Sequence, residues 1–279
     1  MNAAAPLSEQ VLDYISHIES AEYWKSILKN YSTDDILSAV LFQLRTGSAE
    51  DVSMAAGFIR DLILVAPRLC GGISTLHFRT PTLVAELERL VTSSSWSKRG
   101  SAIYTLGKIG ASESAAHLRR VRAETQHTDP LMLTRLASEI RWLTCEDEIE
   151  WYIANTLTST CFLTRLAGLE VLNGIRLDPD HERWPLKRDG YAMLLSDPDA
   201  RVRLNSAFLH EEMQFEATLP WMATRADKRH QRKQLELRRP LSLHDMEIRF
   251  NHHLRIDGGD SDTYTVEQLS AFIAASGFV

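Results

Sequence analysis

One helical frame that returns along the chain restricts its fold more than any other feature. Within 97–110, Ser-Lys-Arg-Gly-Ser-Ala-Ile-Tyr-Thr-Leu-Gly-Lys-Ile-Gly, counting from Arg99 gives a small residue at three (Ala102), an aliphatic at four (Ile103), Leu106 at seven and Gly107 at eight. Those offsets fall on one stripe of an α-helix. From Arg165 the frame gives Gly168, Leu169, Leu172 and Asn173, and from Arg203 it gives Ser206 and Ala207 with His210 replacing the leucine. Arg135 with Ser138 is a fainter copy. The four arginines are spaced by 36, 30 and 38 residues, close to one helix pair. A helix pair that cannot bury its apolar stripe alone buries it on the next pair, which makes an array.

The remaining pattern supplies the pairs. Ser8 reads as a cap for a first helix carrying Val11, Leu12, Ile15 and Ile18, and a short second helix runs through Tyr23, Trp24 and Leu28. Ser32 with Asp34 and Asp35 opens a helix through Ile36, Val40 and Leu44 that stops at Gly47, and its partner spans 51–66 before Pro67. Residues 68–79, with Gly71 and Gly72, read as a loop. Helices follow at 82–91 and 97–109, 112–122 and 131–143, 146–157 and 160–175, and 184–195 and 201–213. After Pro240 the period leaves 248–256 open between helix and strand, and 266–275 closes with a small helix.

The run Asp197-Pro-Asp-Ala-Arg-Val-Arg-Leu-Asn-Ser-Ala resembles the second-helix start of a HEAT repeat, and 97–110 is similar to the HEAT variant of phycobilisome lyase-type repeats. The likeness covers roughly residues 80 to 212. It implies an all-α, right-handed α-α superhelix of about five helix pairs over 1–224, with a basic helix and an irregular C-terminal cap over 225–279. Such an array works by what it displays along one surface, so the resemblance implies a concave binding face and no particular chemistry.

Composition narrows the partners. At 44% hydrophobic and 24% charged residues the chain is globular in character. Seven basic residues stand against two acidic ones in 225–239, a balance of +5, which leaves −11 of the net −6 for the rest. That balance disfavours general nucleic-acid or anionic-membrane binding. Cys70, Cys145 and Cys161 have no paired spacing and read as reduced core thiols of a cytoplasmic protein. The opening residues lack the basic and apolar regions of a secretory leader, and no apolar run approaches the roughly 20 residues a bilayer requires.

Three residue sets bear on function. Arg99, Arg135, Arg165 and Arg203 would form a guanidinium ladder gripping an acidic partner; their structural alternative is to bond helix ends and loop carboxylates such as Asp197. Arg229 and Arg232 on the basic helix could join them, or that helix could dock on the acidic body of its own array. Trp142, Glu146, Arg183 and Trp221 have the residue types of the HEAT-like alkylpurine DNA glycosylases, where aromatic faces and a carboxylate stabilise a cationic sugar. His244, His252, His253, Asp257, Asp260 and Asp262 lack metal-ligand spacing, and the fifth calcium-loop position from Asp260 is Tyr264. No phosphate loop, nucleophile elbow or cofactor motif is present. The reading is a non-catalytic platform for another protein, in one form an adaptor or a bacterial immunity protein, with the glycosylase as the enzymatic alternative.

Overall fold

The structure, a computed structural model, describes residues 7–126, 129–218 and 225–277. His127 and Thr128 of one interhelical link, the Leu219-Pro220 break and Trp221 lie outside the described residues. Every regular element described is helical: α1 (Leu7–Leu12), α2 (Ala21–Asn30), α3 (Thr33–Thr46), α4 (Ala49–Leu64), α5 (Ala66–Leu69), α6 (Pro81–Leu90), α7 (Trp96–Ile109) and α8 (Ser112–Thr125). There follow α9 (Leu131–Thr144), α10 (Ile149–Tyr152) running into a π turn (Ile153–Leu157), α11 (Phe162–Gly174), α12 (Trp184–Ala192) and α13 (Ala200–Thr218). The chain ends on α14 (Arg225–Glu236), α15 (Leu243–Ile256) and α16 (Val266–Ala275). No helix among the described residues is long and apolar enough to cross a membrane.

Two compact units divide these elements: one takes 7–121 and 139–146, the other the described residues of 122–138 and from 147 onward. In unit 1, α3 packs on α4 and α6 on α7, while α3 also meets α6 and α4 meets α7. The α4–α7 seam is made of small residues, with Ala55, Ala56 and Ala102 fully buried, the Thr105 hydroxyl donating to the Ala56 carbonyl at 3.2 Å and Ser101 to Ser53 at 2.9 Å. Ser32 and Ser48 each close a capping box with Asp35 and Asp51 at the starts of α3 and α4, which typically adds about 1 kcal/mol per helix. In unit 2, α11 is central, touching the π turn, α10, α13 and α15, and α12 lies on α13.

Three local expectations are corrected. The first helix stops at Leu12 and gives way to a 3-10 turn at Tyr14–His17, because Tyr14 turns inward onto Trp24 and Phe58, 6.5 and 5.8 Å between ring centres. The 68–79 stretch is not all loop: α4 ends at Leu64, before Pro67 as expected, and Pro67 then sits in the first turn of the short α5, where its missing N–H has no intrahelical partner to lose, so that Arg68 and Leu69 are helical. Cys145 is no core thiol. It is exposed, at φ 60°, while Cys70 is buried and Cys161 half-buried.

The frame's glycines mark close approaches. A Cβ on Gly107 would stand 2.5 Å from the Glu139 Cβ, and one on Gly168 would stand 2.1 Å from Thr156 Oγ1 and 2.9 Å from Leu157 Cδ2. Thr156 is fully buried, so it has nowhere to move. Gly168→Ala is expected to destabilise unit 2 by about 1–3 kcal/mol by overpacking, read from the denaturant midpoint. Gly174→Ala, with nothing within 4 Å, should raise that midpoint slightly.

Candidate functional site

The arginine series divides. Arg165 is buried and donates from Nε and Nη2 to both Asp197 carboxylate oxygens (2.7 and 2.8 Å) and from Nη1 to the Ser159 and Thr160 carbonyls (2.6 and 3.0 Å). Arg203 reaches the same loop, donating to the Asp197 and Pro198 carbonyls. Both therefore hold the α12–α13 turn. Arg99 lies over the Trp96 ring at 4.3 Å, and Arg135 is exposed with its charge felt at Tyr264. On α14, Arg229 is exposed, Arg232 bonds Glu216 at 2.5 Å and the following Arg238 bonds Glu211 at 2.8 Å, so the basic helix lies on acidic residues of α13.

The glycosylase set is engaged elsewhere. Glu146 in unit 1 accepts from Arg119 at 2.6 Å, and Arg183 in unit 2 donates to Asp147 at 2.5 Å. Trp221 lies outside the described residues. In unit 2, Arg122 is buried with Nη1 on Glu148 (2.5 Å) and on the Tyr152 hydroxyl (2.8 Å), its guanidinium 3.6 Å from the Trp151 ring centre. Glu148 holds a left-handed conformation, φ 49°, to make that contact. The two form a buried ion pair in which Arg122 Nε is left without a hydrogen-bond partner among the described residues.

Trp142 belongs to a different constellation, confined to unit 1. The Arg60 guanidinium on α4 lies 5.0 Å from the centre of the Tyr104 ring on α7; Lys108, one turn after Tyr104, places Nζ 5.2 Å from that ring and 4.0 Å from the Trp142 ring on α9. The result is a continuous row of cation, ring, cation and ring across three helices. Its rings are open to solvent, Tyr104 at 44% and Trp142 at 64% exposure. Its cations are anchored from beneath: buried Asp61 accepts from Arg60 at 2.7 and 2.6 Å, and buried Glu139 stands 3.2 Å from Lys108 Nζ. Burial pushes the Glu139 carboxyl above its usual range, and Lys108 opposes that shift.

This arrangement suits recognition. Each cation–ring contact contributes about 0.5–2 kcal/mol toward holding its ring in place, so the row is set before anything binds. With each cation matched by its own carboxylate, the surface offered is aromatic and locally balanced in charge. Tryptophan, tyrosine and arginine are also the residues that dominate binding energy at protein interfaces. Sequence reasoning found Trp142 but missed Arg60, Tyr104 and Lys108; the one readable signal was the i, i+4 pairing of Tyr104 with Lys108.

The tail histidines and aspartates serve local structure: His253 lies 3.3 Å from Asp257, and Asp260 accepts from the Thr263 hydroxyl at 2.6 Å. Among the described residues no three His, Cys, Asp or Glu side chains are grouped to hold a metal ion. No family model matches this chain, and no curated protein or solved structure matches it either.

Proposed function

We propose that the chain is a non-catalytic protein-binding platform of the HEAT-like kind, a right-handed α-α superhelix in which the Arg60–Tyr104–Lys108–Trp142 row is the partner-contacting strip. The observation that carries this reading is the row itself, two exposed rings fixed by cations that buried carboxylates neutralise. The layered contacts of unit 1, α3 on α6 and α4 on α7, support a solenoid, since stacked pairs meet in that order. A cytoplasmic adaptor, or an immunity protein occluding a basic enzyme, is the specific form that the net charge of −6 favours. The glycosylase alternative gains nothing from its residues, because Glu146 is paired with Arg119 and Arg183 with Asp147.

Trp142→Ala is the direct test. With its ring 64% exposed, the substitution is expected to leave the melting temperature within a degree or two of wild type. Affinity for the partner, identified by capture on the wild-type protein and then purified for calorimetry, should fall by about 30-fold or more, the loss typical of an interface hot spot. Unchanged affinity would remove the row from the interface.

A further inference from the structure

Unit 2 contains a cavity of about 260 Å³ between α13 and α14. Its volume is just under the range of about 300–1,000 Å³ found for drug-sized ligands, which selects a small occupant. Phe208, Glu212 and Phe215 line it from one face of α13, at i, i+4 and i+7, and buried Leu235 faces them from α14. Glu216 and Glu236 complete the acidic lining. Among the described lining residues Arg232 is the one cation, and it is bonded to Glu216 at 2.5 Å.

Glu212 is the under-compensated member. Burial raises its carboxyl above the ordinary range, the charge of Glu216 adds to that, and Lys187, Arg239 and Arg232 offset it only in part. The Tyr191 hydroxyl, whose ring is 1% exposed, feels the Glu212 charge and has no hydrogen-bond partner among the described residues. A cavity with carboxylates, aromatic walls and an unsatisfied buried hydroxyl nearby excludes anions by charge. It also suits a metal ion poorly, because among the described residues no three acidic side chains are grouped to hold one. Phenyl faces do suit an organic cation, which keeps an apolar stem against them and its charge on a carboxylate.

We propose that this cavity binds a small protonated aliphatic amine, its ammonium group on Glu212 and its alkyl stem between Phe208 and Phe215. The interaction is independent of the aromatic row of unit 1. The same ammonium chemistry could be carried by a free amine or by a lysine side chain, and the cavity's small volume favours the free amine.

Calorimetry on the full chain at pH 7 tests this with hexylamine, the neutral isostere hexan-1-ol, and lysine blocked at its α-amino and carboxyl groups. Hexylamine should bind saturably at one site, at least about tenfold more tightly than hexanol, since a charge-assisted hydrogen bond is lost in the alcohol. Blocked lysine should bind more weakly than hexylamine. Glu212→Gln should weaken hexylamine about tenfold while holding or raising the melting temperature, because a carboxylate that burial disfavours has been removed. Phe215→Leu, which keeps apolar volume and loses the ring face, should weaken it roughly threefold and gives a second reading should the first variant be poorly folded. Absence of saturable hexylamine binding, equal affinity for hexanol, wild-type affinity in both variants, or tighter binding of blocked lysine would each overturn the proposal.

Discussion

Replacing Arg165 with methionine is expected to destabilise unit 2 by about 3–5 kcal/mol, the usual result of removing one partner from a buried ion pair. Arg165 is 7% exposed, and its guanidinium makes two carboxylate and two carbonyl hydrogen bonds. Without it, Asp197 keeps only the Asp199 N–H at 2.8 Å among its side-chain bonds to described residues, inside a site where its own exposure is 6%. The Ser159 and Thr160 carbonyls also lose their donor. Arg165→Lys should recover little, since an ammonium cannot bridge both carboxylate oxygens and two carbonyls at once. Urea unfolding followed by circular dichroism checks this; a loss below about 1 kcal/mol in the methionine variant would mean that the site is wet enough to solvate Asp197.

Lys187 gives the second large effect, and it runs opposite to ordinary alkaline behaviour. Its side chain, on α12, is buried with Nζ donating to the Ile175 carbonyl at 2.7 Å, and burial lowers its pKa from 10.5 to about 8, with Glu212 pulling the other way. Between those two values the unfolded chain holds a proton that the folded chain has released, so stability rises with pH through that window. The full penalty, roughly 3 kcal/mol, applies below pH 8. From pH 7 to 9.5 the unfolding free energy should increase by on the order of 2 kcal/mol. Above pH 10 the trend reverses, because buried Tyr14, pushed up to about 12, keeps its proton in the folded state while the unfolded tyrosine loses it. Lys187→Met should flatten the rise. A wild-type curve that falls steadily from pH 7 to 9.5 would show that Lys187 is charged and solvated.

The helices themselves were legible because a 3.6-residue stripe is a local property: the stretches at 97–109, 131–143 and 160–175 correspond to α7, α9 and α11 within a few residues. The segment from 248 was open on period alone, yet Ser242 and Asp245 spell the capping box that makes it the helix α15, and that signal was present in the sequence. The early end of α1 was not legible, since it depends on Tyr14 finding Trp24 and Phe58 across the unit. For the arginines, the residue type allowed both a partner and a loop carboxylate such as Asp197, with the structural role preferred, and the position of Asp197 decides for Arg165. The aromatic row was hidden for the same reason. Tyr104 and Trp142 are 38 positions apart and become neighbours through one lysine, because Gly107 lets Glu139 of α9 come against α7.

A photo-crosslinking residue placed at 104 in the full chain, expressed in its native cell, tests the role of the row most directly when compared with the same residue at exposed position 42 on α3. We predict one protein adduct from position 104 that disappears when Trp142→Ala is added, and no such adduct from position 42. The same adduct from both positions, or one from 104 that persists without Trp142, would contradict the assignment of this row as the partner-binding surface.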